Sequence, residues 1–225
     1  LWVNADVANV TTIIDTTTLE VKAVVHTPAD LVAMGAKPHD VIVGPQGRFA
    51  YVSVVGVPGP EDYVIQYDTE TLMEVGRAAV GDDPHLSVTP RTGYLYVPCQ
   101  GADAVFVLDR DTLEPVRMVD IPGAHGAGMP NGGKYFYTAN LPGGGDDALW
   151  AINTRTLRVA GQPADSPYGV PHNIALTPNG KKLYLTHSGP NNKVTVYEIG
   201  KPSPTPVLIG EVTVGDNPFG LAYVP

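Results

Sequence analysis

Four of the six histidines share one local setting. His39 stands in "KPHD", His85 in "DPHL", His125 in "GAHG" and His172 in "VPHN", while a fifth copy of the setting, "NPFG", carries Phe219 instead. Neutral imidazole is a common metal ligand, and several imidazoles held around one axis form a ring of nitrogen donors without any local ligand-spacing motif. Four imidazoles with no carboxylate among them predict copper, with zinc and nickel as alternatives, because the Irving–Williams order favours Cu(II) at such a set. Magnesium and calcium prefer oxygen donors and do not fit it. Phe219 would leave one sector of the ring apolar. The residues alone leave two alternatives to a metal site open. A histidine bonding a neighbouring carbonyl could have been copied by duplication, or the ring could serve a cofactor other than a metal ion.

Further candidates are fewer. His187, which ends "LYLTH", and Cys99, which follows "LYVP", are candidates for additional ligands or for groups that orient the ligands, although a lone cysteine is more often a small buried hydrophobe. His26 in "VVHTPAD" is expected at the periphery. Glu61, Asp62, Asp146 and Asp147 lie in "GPED" and "GGGDD", where they read as solvated loop acids that attract cations. No nucleophile elbow, P-loop, dinucleotide fingerprint or HExxH pair occurs, so conventional hydrolase and kinase chemistry lacks its residues.

The elements that must position these residues are repeats. A strand pattern recurs as "LWVN", "AYVS", "LYVP", "FYTA" and "LYLT", its aromatics at Trp2, Tyr51, Tyr96, Tyr137 and Tyr184. Before four of these lies a strand that ends in Pro and a Gly-bearing turn, as in "VIVGPQGR" and "IALTPNGK". After them comes a third strand closed by "DTTTL", "DTETL", "DRDTL" or "NTRTL", in which Asp15, Asp68, Asp109 and Asn153 are suited to accept turn N–H groups. A fourth strand such as "EVKAVV" or "GEVTV" completes the unit. Four antiparallel strands per period of about 45 residues predict an all-β protein built of β-propeller blades.

The aromatic strand motif resembles that of the YVTN, or YncE-like, propeller repeat family, matched by "LWVNAD" and more loosely by "LYVP" and "LYLT". The resemblance covers the whole chain and implies a fold shared by binding scaffolds, lactonase-like and lyase-like enzymes, and relatives of haem d1 and copper-cluster domains. Propellers whose channel histidines hold copper support a metal at His39, His85, His125 and His172. A macrocycle would need a wider channel than five blades leave.

Strand phase sets the expected blade count. The chain opens on the second strand of a blade and closes on "PFGLAYVP", which aligns with a first strand. Pairing of the last strand with "LWVN" would close five blades and leave no open edge. Residues 1–225 are accordingly read as a single domain. The innermost strand of each blade would start at one mouth of the central channel, and the four histidines and Phe219 would ring that mouth. Ala5, Val54, Cys99, Asn140 and His187, each three residues beyond a strand aromatic, should end at the same face.

Composition fits this reading. Charged residues make up 16% of the chain, with 25 Gly and 22 Pro, as expected for short strands joined by tight turns. A net charge of −9 without a Lys/Arg cluster excludes nucleic acid as a partner and favours a metal ion, with a small molecule, glycan or protein at the histidine face. No apolar run has the length of a membrane span, and no signal peptide is visible. The chain begins "LWVN" without Met, as after removal of an upstream segment, and a periplasmic or secreted location is expected. Two functions follow: a metal-binding propeller supporting copper-dependent oxidoreductase chemistry, or a non-catalytic binding module using the same face.

Overall fold

The computed structural model describes residues 1–141, 147–200 and 203–223. Asp146 lies outside them. The described chain forms five antiparallel sheets in sequence order. The first has three strands, β1 (Trp2–Ala5), β2 (Val10–Ile14) and β3 (Val21–His26). Helix α1 (Ala29–Ala33) follows, then β4 (Lys37–Val43), β5 (Phe49–Val55), β6 (Glu61–Asp68) and β7 (Glu74–Gly81). The third sheet holds β8 (Ser87–Val88), β9 (Tyr94–Cys99), β10 (Ala104–Asp109) and β11 (Pro115–Asp120). The fourth holds β12 (Ala124–Gly128), β13 (Tyr135–Asn140), β14 (Leu149–Asn153) and β15 (Arg158–Val159). The fifth holds β16 (Pro171–Leu176), β17 (Lys182–His187), β18 (Lys193–Glu198) and β19 (Val207–Thr213). No described helix is long and apolar enough to cross a membrane.

Each sheet is an up-and-down meander whose turns form as their residues dictate. Asp15, Asp68, Asp109 and Asn153 each accept two backbone N–H groups at the third-to-fourth strand turn. The leucine that ends each of those turns is left-handed, at φ 61, 59, 59 and 52° for Leu19, Leu72, Leu113 and Leu157. The core lies in the seams between consecutive sheets. Phe49, Tyr51 and Val64 of the second sheet pack with Leu95 and Val97 of the third, and the seams that follow repeat this pattern. The Tyr51 hydroxyl donates to the carbonyl of Arg110 in the next sheet's turn at 2.7 Å and so ties the second sheet to the third.

The inner strands pack against neighbouring sheets, β1 on β4 and β12 on β16, and β12 also meets β9, the second strand of the third sheet. Gly126 shows how close that approach is. A β-carbon there would overlap the carbonyl oxygen of His172 on the neighbouring inner strand. At the C-terminal end, residues 219–223 carry no strand pairing, and β1 stands at the edge of its three-stranded sheet. Phe219 instead accepts hydrogen bonds at its carbonyl from Asn173 and Thr186 of the fifth sheet.

Gly126→Ala is expected to lower stability by about 2 kcal/mol or more, because the added methyl group forces apart two backbones rather than a movable side chain. Gly215→Ala, where an added β-carbon meets nothing within 4 Å, is the matched control with little effect. Urea unfolding of both variants checks this, and equal midpoints would show that the inner strands have room to move.

Candidate functional site

Register explains how one repeat position becomes a ring. Pro38 pairs with Val54, Pro84 bridges Cys99, Ala124 pairs with Asn140, and Pro171 pairs with His187. The residues three beyond the aromatics of β5, β9, β13 and β17 therefore do reach the histidine face. Immediately after these pairs the register slips by one residue in the second, fourth and fifth sheets, between Pro38 and Val41, Ala124 and Ala127, and Pro171 and Ile174. Such bulges re-aim a side chain, and these contain His39, His125 and His172. Hydroxyls pin two of them: Ser53 Oγ accepts from Asp40 N–H and Thr186 Oγ1 from Asn173 N–H, both at 3.0 Å.

The rings then form one row. Centroid separations are 4.8 Å for His39–His85, 3.9 Å for His85–His125, 4.5 Å for His125–His172 and 3.9 Å for His172–Phe219. They line a cavity of about 460 Å³ together with Asp40, Asp83, Gln100, Leu141 and Asn173.

A carboxylate belongs to this row, contrary to the expectation of an all-imidazole set. Asp83 Oδ1 lies 3.6 Å from His39 Nε2 and 4.0 Å from His85 Nε2, and its Oδ2 lies 3.4 Å from His125 Nδ1. His39 Nε2 and His85 Nε2 face each other at 3.3 Å, and ligand atoms of His39, Asp83 and His85 all fall within 4.8 Å of one another. Two nitrogens each about 2.0–2.1 Å from one tetrahedral ion are themselves about 3.3 Å apart. His125 is 4% exposed, yet neither of its ring nitrogens makes a hydrogen bond. A buried imidazole without a hydrogen bond, beside a partly exposed cluster of two imidazoles and a carboxylate, is what a metal ion would satisfy.

His172 stands apart from that set. Its Nδ1 accepts from the Asn173 amide at 2.8 Å, and the same amide donates to the Phe219 carbonyl at 3.2 Å, which fixes the amide's orientation and leaves the His172 proton on Nε2. Within the row it lies between His125, edge-on at 63°, and Phe219, tilted at 47°.

Backbone anchors hold the carboxylate in place. Asp83 is left-handed at φ 58°, as are Gly123, Val170 and Asn217, each two residues before its ring residue. Asp62, read from sequence as a solvated loop acid, is instead buried, accepting from Asp83 N–H and Val57 N–H, both at 3.1 Å. Asp103 does the same for Gly123 N–H one sheet later. Asp40 Oδ2 accepts from Leu86 N–H at 2.9 Å and so ties the second sheet's bulge to the segment that carries His85. The sequence reading missed Asp83 and Asp40. The signal was "DDPH", where an acid stands two residues before a ring histidine, and "PHD", where one follows it.

The remaining candidates lie elsewhere. His187 is fully buried, with Nδ1 donating to Gly169 O and Nε2 facing Ser166 and Thr195 hydroxyls, so both nitrogens are spent within the fifth sheet. Cys99 is fully buried with its thiol donating to Val97 O, and burial pushes its pKa up, which disfavours a thiolate. His26 is exposed at the end of β3. Asp147 donates its N–H to Asp165 Oδ1.

Electrostatics favour the neutral imidazole at His85 and His172 and the charged carboxylate at Asp83. Burial first, and then the neighbouring His125 and His39, hold His85 well below the usual imidazole range. Burial and then His125 bring His172 down to about 4. The His125 contact, reinforced by the charges that His85, His125 and His39 would carry, holds Asp83 below the usual carboxylate range.

No family model matches this chain, and no curated protein matches it. Solved structures do. A functionally unknown protein from Desulfotomaculum acetoxidans is similar at 15% identity and TM-score 0.78 over 95% of this chain and 66% of its own. Kuenenia stuttgartiensis hydrazine synthase is similar at 22% identity and TM-score 0.75 over 90% of this chain and 60% of its own. The Cps50 β-propeller domain of Myceliophteria thermophila is similar at 12% identity and TM-score 0.66 over 94% of this chain and 70% of its own. The chain thus spans less than two thirds of the length of the first two. At these identities the likeness concerns the fold, and the fold is that of a β-propeller.

The lowered imidazole pKa values give the metal-free protein a pH signature. The unfolded chain takes up protons near pH 6.5, whereas folded His172 does so only near 4. The unfolded state therefore binds more protons between these values, and stability that is full above pH 6.5 declines as pH falls toward 4. His172→Phe, which repeats the residue found at 219, is expected to flatten that decline. Urea midpoints at pH 7.5, 5.5 and 4.5 check it, and parallel curves for both proteins would refute the assignment to His172.

Proposed function

We propose that this protein is a metal-binding β-propeller of the YVTN-like kind, holding copper(II) between His39, His85, His125 and Asp83 at the mouth of its inner strands. The observation that carries the reading is the donor geometry: two Nε2 atoms 3.3 Å apart with a carboxylate oxygen 3.6 and 4.0 Å from them, beside a buried imidazole with no hydrogen bond. Nitrogen donors with one carboxylate suit Cu(II), and Zn(II) and Ni(II) are the competing ions. His172 and Phe219 form the wall of the site. A coordination position facing the cavity would admit a small molecule and support redox chemistry there. A periplasmic or secreted location belongs to the same proposal, with cell fractionation as its test.

Copper titration of the purified protein is expected to give saturable binding, with zinc and nickel weaker. His85→Ala and His125→Ala should weaken it by about 100-fold or more, Asp83→Asn by about 10-fold, and His26→Ala not at all. Equal losses at His85 and His26, or no saturable binding of any of the three ions, would leave a non-catalytic binding module as the better reading.

Closure is also part of the proposal. Strand phase supports pairing of residues 219–223 with β1, and Phe219 already takes the fifth place in the row beside His172. Slow amide exchange at Leu221 and at Asn4, whose N–H faces the free edge of β1, matching that of β5, is the expected result in solution. Fast exchange at both would show the five-sheet ring to be open.

A further inference from the structure

The face opposite the histidine row carries a second concavity, formed by turns that the metal site does not use. A groove of about 650 Å³ runs between the β8–β9 turn, the β12–β13 turn and the β14–β15 turn, with Arg91, Thr92, Thr154 and Arg155 along it. Lys134 and Arg155 also line an adjoining hollow of about 280 Å³. Two of the 14 basic residues of a chain with net charge −9 thus line this groove, and a third, Lys134, lies in the hollow beside it with its ammonium 5.0 Å from the Tyr135 ring centroid. Among the described residues, none of the three has an ion-pair partner, in contrast to Arg77, Arg110 and Lys193. The one acid on the groove, Asp109, already accepts at Oδ1 from the N–H groups of Asp111 and Thr112 and from the Thr112 hydroxyl.

The cations are also placed rather than scattered. The Arg91 stem lies against Gly133, left-handed at φ 62°, where a β-carbon would come within 2.7 Å of Arg91 Cβ. Arg110 Nη1 donates to the carbonyls of Thr89 and Thr92, at 3.2 and 2.9 Å, and so braces the turn that presents Arg91. Gly93 and Gly132 line the groove, and an added β-carbon at either would meet nothing within 4 Å, so a ligand can approach the backbone there. Like charges gathered on one surface repel one another, and an oxyanion relieves that repulsion where Asp109, its Oδ1 engaged by its own turn, does not. Guanidinium groups match the geometry of phosphate oxygens, while the lysine acts as a point charge.

We infer that this groove binds a small polyanion carrying at least two phosphate groups, held by Arg91, Arg155 and Lys134, at a site separate from the histidine row. Three cations and this volume exceed what a single phosphate needs. The test is calorimetric titration of the metal-free protein with pyrophosphate, with citrate as the polycarboxylate arm. Saturable pyrophosphate binding is expected, weakened at least 10-fold in the Arg91→Gln/Arg155→Gln double variant and unchanged in Arg117→Gln, an exposed arginine on β11. Copper binding by the double variant should equal that of the parent protein, so failure of this site and failure of the metal site are told apart. Absence of saturable binding, or an equal loss in Arg117→Gln, would overturn the site. Equal affinity for citrate would overturn its assignment to phosphate.

Discussion

The closeness of the inner strands is the constraint from which the site follows. Where Gly126 meets the carbonyl of His172 there is no room for a β-carbon, so the residues that start neighbouring inner strands are held at ring-stacking distance. Four imidazoles and a phenyl ring become a continuous row because the same repeat position reaches one face in sheet after sheet. The one-residue bulges do the rest. Without them alternate residues of a strand would face the two neighbouring sheets, and the ring residues would be absorbed into the seams instead of lining the cavity.

Crowding several imidazoles at that distance is tolerable only while they are neutral. Burial favours the neutral form, and each neighbour's charge would oppose the next protonation, so both effects push His85 and His172 in the same direction. Asp83 works the other way. Its carboxylate stabilises positive charge at this point in the row, whether that charge is a proton or a metal ion, and Asp62 fixes its backbone by accepting the Asp83 N–H. Burying Asp62 beneath the loop raises its own pKa by desolvation, a cost offset in part by the two N–H groups it accepts.

The propeller arrangement also separates chemistry by face. First-to-second and third-to-fourth strand turns fall on the side away from the histidines, and their Gly, Asn and Asp residues leave Arg91, Lys134 and Arg155 to project between sheets. An acidic chain thus concentrates imidazole nitrogens at one mouth and basic side chains without ion-pair partners among the described residues at the other. Both features arise from repetition, since residues in equivalent turns become neighbours when the sheets pack side by side.

The strands, their order and their turns were written in the sequence, because period-2 patterns and turn acids such as Asp68 and Asp109 act through local backbone bonds that no distant residue needs to supply. The recurrence of His39, His85, His125 and His172 at one repeat position was equally legible, and it placed all four at one mouth. What repetition could not convey was the departure from symmetry. Asp83 has no acidic counterpart at Lys37, Gly123, Val170 or Asn217, so a repeat-based reading passes over it, although in space it touches three of the four histidines. Asp62 looked like an ordinary loop acid until packing buried it under the Asp83 backbone. His172 and His125 look alike in sequence, yet an amide beside one and none beside the other decides which has a free lone pair. Local rules fix where a side chain starts, whereas burial, hydrogen-bond partners and charge neighbours are set by residues far away in the chain, and those exist only once the sheets have packed.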